Sequence, residues 1–92
     1  MYHVAIVEDE AEFATQLQDF LKQYQKENDV PIKVSVFCDG AEILKDYQPL
    51  YDIILLDIEM PEVNGMDAAE QIRKMDSNVV LMFITNMATY AI

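Results

Sequence analysis

The sequence predicts an open α/β sheet of parallel strands, and three observations carry that prediction. Three short apolar runs rich in β-branched residues, Tyr2 to Val7, Asp52 to Leu56 and Val79 to Ile84, are nearly continuous in hydrophobicity, as strands covered on both faces are. A weaker run, Ile32 to Phe37, alternates more and reads as a strand nearer an edge. Between the runs, apolar residues recur at helical spacing, so the order is β-α-β-α-β-α-β, and right-handed crossovers then place helices on both faces.

The first helix is predicted from Phe13, Leu17, Phe20, Leu21 and Tyr24, which form an apolar stripe while Gln16, Gln18, Asp19, Lys22, Gln23 and Lys26 fill other positions. Glu10 and Glu12 suit its amino end, where the helix dipole favours negative charge. A shorter helix follows the second strand: Asp39 caps a segment containing Ala41, Ile43, Leu44 and Tyr47, and Pro49 prevents its continuation. After the third strand, Asn64 and Gly65 belong to a loop, and Met66, Ala69, Ile72 and Met75 trace a third helix. Residues from about Met87 to Ile92 read as the start of another. Met66, Met75 and Met82 are expected on core-facing positions, and Cys38 as a small buried thiol. His3, inside the first strand, is expected to pack or to lie on the surface.

With 92 residues, 52% of them hydrophobic, the chain suits one small core. Six basic against seventeen acidic residues give a net charge of −11, which repels nucleic-acid phosphates and excludes DNA as a direct ligand. No apolar run approaches the roughly 20 residues that span a bilayer, so the reading is soluble and cytoplasmic, without a membrane partner.

In open parallel sheets ligands bind beyond the carboxyl ends of the strands, where strand order reverses; in the flavodoxin-like order this lies between the first and third strands. There the sequence places Glu8 and Asp9 after strand one, Asp57 after strand three, and Thr85 and Asn86 after strand four. Neighbouring strands lie about 4.8 Å apart, so Asp9 and Asp57 repel unless a cation stands between them. Magnesium suits such a partial oxygen shell, because it keeps several waters and shares its remaining positions with phosphate. An aspartate there can attack phosphorus to give an acyl phosphate, and a hydroxyl at Thr85 can donate to the phosphoryl oxygens.

The segments VAIVEDE, DIILLDIEMPEVNGMD and VVLMFIT closely resemble the receiver domains of two-component response regulators. The resemblance implies a flavodoxin-like open parallel sheet of strand order 2-1-3-4, with Asp57 accepting a phosphoryl group from a histidine kinase. It further implies that Asp9 and Asp57 bind Mg2+ directly, that Glu8 acts through water, that the main-chain carbonyl of Glu59 is another ligand and that Thr85 is the switch hydroxyl. The ending FITNMATYAI resembles receivers joined to LytTR-type DNA-binding domains, so DNA is expected to be reached only through a carboxyl-terminal effector domain. Residues 1–92 are accordingly expected to be a partial receiver, a signalling domain and not an enzyme, lacking the family's fifth strand, its essential lysine and the fifth helix. Lys74, on the third helix, cannot replace that lysine. An exposed fourth strand then predicts a homodimer. Two other classes compete. A metal-dependent phosphatase with an aspartate nucleophile commonly needs a second Asp two positions on, where this sequence has Glu59, and an interaction module that is never phosphorylated usually lacks the acceptor or the acidic pair.

Overall fold

The computed structural model describes residues 1–58, 60 and 63–84. Among these, four parallel strands, β1 (Tyr2–Val7), β2 (Ile32–Phe37), β3 (Ile53–Asp57) and β4 (Val80–Ile84), lie in the order β2-β1-β3-β4. The helices α1 (Ala11–Asn28), α2 (Gly40–Leu44) and α3 (Gly65–Met75) connect them in turn. Strands and helices follow the predicted sequence of elements, and the strand order is the one the resemblance implies.

Alternation along the central strands divides the apolar side chains between two layers. Ala5 and Val7 of β1 and Ile54 and Leu56 of β3 join Ile43 of α2 and Ala68, Ala69 and Ile72 of α3 in one buried cluster. The intervening residues Val4 and Ile53 face the other way, where Leu21 and Tyr24 of α1 line a groove with them. Helices therefore cover both faces, α1 on one and α2 with α3 on the other. Each helix is closed by local chemistry. Asp39 Oδ1 accepts from the Glu42 amide at 2.8 Å and Asn64 Oδ1 from the Asp67 amide at 2.9 Å, capping α2 and α3. Asp29 takes a left-handed backbone, φ 52°, and donates its N–H to the Gln25 carbonyl to end α1.

At the amino ends of the strands the connections are tied to one another. Tyr47 donates its hydroxyl to Asp76 Oδ2 at 2.8 Å, while Asp76 Oδ1 accepts from the amides of Asn78 and Val79. The Tyr47 hydroxyl, foremost among several contacts, holds the Asp76 carboxyl below its ordinary value. His3 is half-buried, with Nε2 2.8 Å from Ser35 Oγ and its ring edge-on to Tyr51, so it packs there as expected.

Several expectations need correction. Cys38 is exposed, because it follows the last paired residue of an edge strand and no helix lies over it. Met66, Met75 and Met82 are 53%, 50% and 51% exposed. The buried arc of α3 runs through Gly65, Ala68, Ala69 and Ile72, which leaves Met66 and Met75 at its margins. Met82 alternates with core-packed Leu81, and α1 lies over β1 and β2 rather than β4. On α1 the inward arc passes through Ala14, Leu17, Gln18 and Leu21, so Phe20, at 76% exposure, and Tyr24 stand outside it. The second helix stops at Leu44, before Tyr47, where the chain turns with Asp46 at φ 55°. Asn64 and Gly65 serve the third helix as cap and first residue. The helix expected from Met87 lies outside the described residues.

Ile54 is fully buried between β1 and β4. Ile54→Ala is expected to lower unfolding free energy by about 2–5 kcal/mol, from lost burial and the cavity left behind, measured as a shift of the urea midpoint at unchanged m-value.

Candidate acidic metal and acceptor site

Register builds the site. β1 and β3 pair in parallel with Val7 opposite Leu56, so the next residues, Glu8 and Asp57, emerge side by side at the carboxyl rim. The Glu8 amide is held by the Phe37 carbonyl of β2 at 3.0 Å, and the Ile58 amide by the Ile84 carbonyl of β4 at 3.2 Å. The backbone on both sides of the acidic residues is thus fixed by the sheet. Asp9, one residue further, is exposed.

Carboxylate oxygens of Glu8, Asp9 and Asp57 all lie within 4.8 Å of one another. Glu8 and Asp57 are buried, at 4% and 8% exposure. Burial pushes the Glu8 carboxyl up to about 8, assisted by hydrogen bonding to Asp57 and Asp9, while the Glu10 amide, 3.3 Å from Glu8 Oε2, opposes the rise. Three hard oxygen donors in this space suit a small divalent cation. Of the three, Asp9 alone is exposed to solvent.

The structure therefore brings together Glu8, Asp9 and Asp57. Glu59 and Thr85, also named from the sequence, lie outside the described residues, as does Asn86. Glu10 occupies the cap position of α1 without a side-chain cap, and Glu12 lies in the first turn.

What the alignment of β1 and β3 did not disclose in sequence is the role of the glycines. Gly65 donates its N–H to the Ile58 carbonyl at 2.9 Å, and a Cβ there would run into the carbonyl oxygen of Asp57. Its φ is negative, so space rather than backbone freedom calls for glycine.

The family model for the response regulator receiver domain matches residues 4–92. This chain belongs to that receiver family. Among curated proteins it is similar to the sensory transduction protein LytT of Oceanobacillus iheyensis, 31% identical over 99 residues, covering 98% of this chain and 36% of that protein. It also resembles the chemotaxis protein CheY of Thermotoga maritima, 39% identical over 54 residues, covering 58% of this chain and 45% of CheY. This receiver chain thus spans about a third to a half of the length of these two relatives.

Solved receivers share the fold. The non-phosphorylated HemR receiver domain of Leptospira biflexa superimposes with a TM-score of 0.78 at 27% identity, over 92% of this chain and 64% of that one. The response regulator TrrA of Thermotoga maritima, solved in complex with Mg2+ and BeF, gives 0.72 at 28% identity, over 99% and 75%. TrrA in complex with the histidine kinase ThkA gives 0.79 at 27% identity, over 100% and 75%. Among the described residues of this receiver no helix is long and apolar enough to cross a membrane.

Glu8 gives the site a pH signature. In the unfolded chain its carboxyl ionises above its ordinary 4.5, whereas in the folded chain it stays protonated until about 8. Between these values the folded state binds the extra proton, so stability is fully present below the lower value and is lost as pH rises through the higher one. In chelator, the urea midpoint is expected to fall from about pH 5 to about pH 8, and to fall less in Glu8→Gln; equal slopes for the two proteins would refute the assignment to Glu8.

Proposed function

We propose that Asp57 is the phosphoacceptor of this receiver and takes its phosphoryl group from a phosphohistidine of a histidine kinase. The observation that carries the reading is the placement of Asp57: buried at the end of a central strand, its carboxylate within 4.8 Å of two others. An Asp57 oxygen attacks phosphorus, forming the acyl phosphate O–P bond as the P–N bond to the imidazole breaks; the electron pair returns to the ring nitrogen. The kinase complex of TrrA supports a histidine kinase as partner.

Asp9 and Asp57 would hold Mg2+ directly, with Glu8 acting through water and the Glu59 main-chain carbonyl as a further ligand. The Mg2+–BeF complex of TrrA supports this choice of ion. When bound, the ion neutralises the carboxylates and the incoming phosphoryl oxygens. Asp57 is oriented by the β3 ladder, and the Glu8 main chain by the hydrogen bond its N–H donates to the Phe37 carbonyl. Thr85 would donate its hydroxyl to the phosphoryl group and relay the modification. We read residues 1–92 as part of a receiver in a cytoplasmic regulator whose DNA-binding output, of LytTR type, belongs to a separate effector domain; the likeness to LytT supports that output. Self-association through β4 is supported by its outer edge, unpaired among the described residues, and by exposed Val80 and Met82.

In the full-length protein, a small phosphodonor with Mg2+ should add one phosphoryl group by intact mass, and Asp57→Asn should abolish it, since an amide is a poor nucleophile. Labelling that persists in Asp57→Asn would place the acceptor elsewhere. Asp9→Ala should weaken Mg2+ binding roughly tenfold or more, as the loss of an oxygen ligand and its charge requires. Titration followed by backbone amide signals near Asp57 measures it.

A further inference from the structure

The helices that share a face of the sheet, α2 and α3, each begin with a buried glycine, Gly40 and Gly65. Neither has a left-handed φ. Gly65 is explained by the Asp57 carbonyl that lies against it. At Gly40 a Cβ would stand 2.8 Å from the Val63 carbonyl oxygen, and 3.1 Å from both the Val63 and the Ala68 Cβ atoms. The first of these is closer than a carbon and a carbonyl oxygen can pack, and the oxygen belongs to backbone that cannot swing aside as a side-chain tip would.

Val63 lies in the connection that leaves Asp57 and enters α3 at Asn64. The described residues Val63, Asn64 and Gly65 are therefore held from two sides: Gly65 rests on the carbonyl of Asp57, and Gly40 on the carbonyl of Val63. α2 cannot simply withdraw to make room. Its first turn is fastened by the Asp39 cap, and Ile43, 2% exposed, is locked in the core with Ile72 and Leu56. On the other side, Asn64 ties the segment to the first turn of α3. A methyl group at position 40 has to displace Val63 and, through Asn64 and Gly65, the Asp57 and Ile58 backbone against which Gly65 rests.

We infer that Gly40, on an element that contributes no carboxylate to the site, is a positioning residue for Asp57. The first turn of α2 sets the position of Val63, and through the contact of Gly65 with the Asp57 carbonyl the geometry of the carboxylate trio toward a divalent ion. The inference rests on the reading of Glu8, Asp9 and Asp57 as the ion's ligands and deepens it. Gly40→Ala removes no ligand and no charge, so its effect on ion binding is one of geometry alone.

The test compares four variants of the chain: Gly40→Ala, Val63→Gly, Ile43→Val and Asp57→Ala. Mg2+ affinity is read from backbone amide shifts of Glu8 and Asp9, and stability from urea unfolding in chelator. Gly40→Ala is expected to weaken Mg2+ binding roughly tenfold, the scale on which groups supporting a ligand act. Ile43→Val loosens α2 in the core but leaves the contact at Gly40 intact, so it should lower stability and keep the affinity of the parent. Parent-like affinity in Gly40→Ala, or an equal loss in Ile43→Val, overturns the role of Gly40. Should Gly40→Ala fail to fold, Val63→Gly, which removes the Val63 Cβ that lies against Gly40 and frees the backbone there without adding atoms, is expected to weaken binding, and unchanged affinity there overturns the inference. Asp57→Ala separates the two levels. If it binds Mg2+ as the parent does, the ligand assignment itself fails; if it loses binding while Gly40→Ala does not, only the positioning role fails.

Discussion

Crowding negative charge at the ends of two adjacent parallel strands is unfavourable, and much of this small domain is organised to sustain it. Glu8 and Asp57 are brought abreast by the β1–β3 register and Asp9 follows one residue later, so three carboxylates gather within 4.8 Å of one another at one rim. The amides flanking the site are bonded to β2 and β4, which makes the outer strands braces for the inner pair. Without a cation, the conflict is relieved by keeping a proton on Glu8.

The two ends of the sheet do different work. At the carboxyl end, like charges meet and the packing is tight enough that two glycines are needed for want of room. At the amino end, opposed donors and acceptors are matched: Tyr47 with Asp76, Arg73 Nη1 with the Asp76 carbonyl at 3.2 Å, and the Asp52 carboxylate with the His3 amide at 2.8 Å. Connections at this end hold the strands in place.

Element order and the acidic trio were legible in the sequence because each rests on local rules. Continuous β-branched runs mark central strands, and an acidic residue directly after such a run must appear at the rim. Exposure was less legible. Phe20, Met66 and Met75 are apolar and sit in periodic positions, yet they stand outside the helical arcs that meet the sheet, while Met82 lies on the face of β4 that α1 does not cover. Cys38 was misjudged because an apolar neighbourhood in sequence is not one in space at the end of an edge strand. The demand at Gly40 is a contact between segments far apart in the chain, and no spacing rule exposes it.

The position of Cys38 has a practical side. Lying one residue beyond Phe37, whose carbonyl holds the Glu8 amide, this exposed thiol offers a native attachment point for a fluorophore or spin label beside the acidic rim. Glu42 foremost, then slight burial and Asp39, keep the thiol above the ordinary cysteine range, so less of it is thiolate at neutral pH and alkylation is slow. Mildly alkaline coupling suits it.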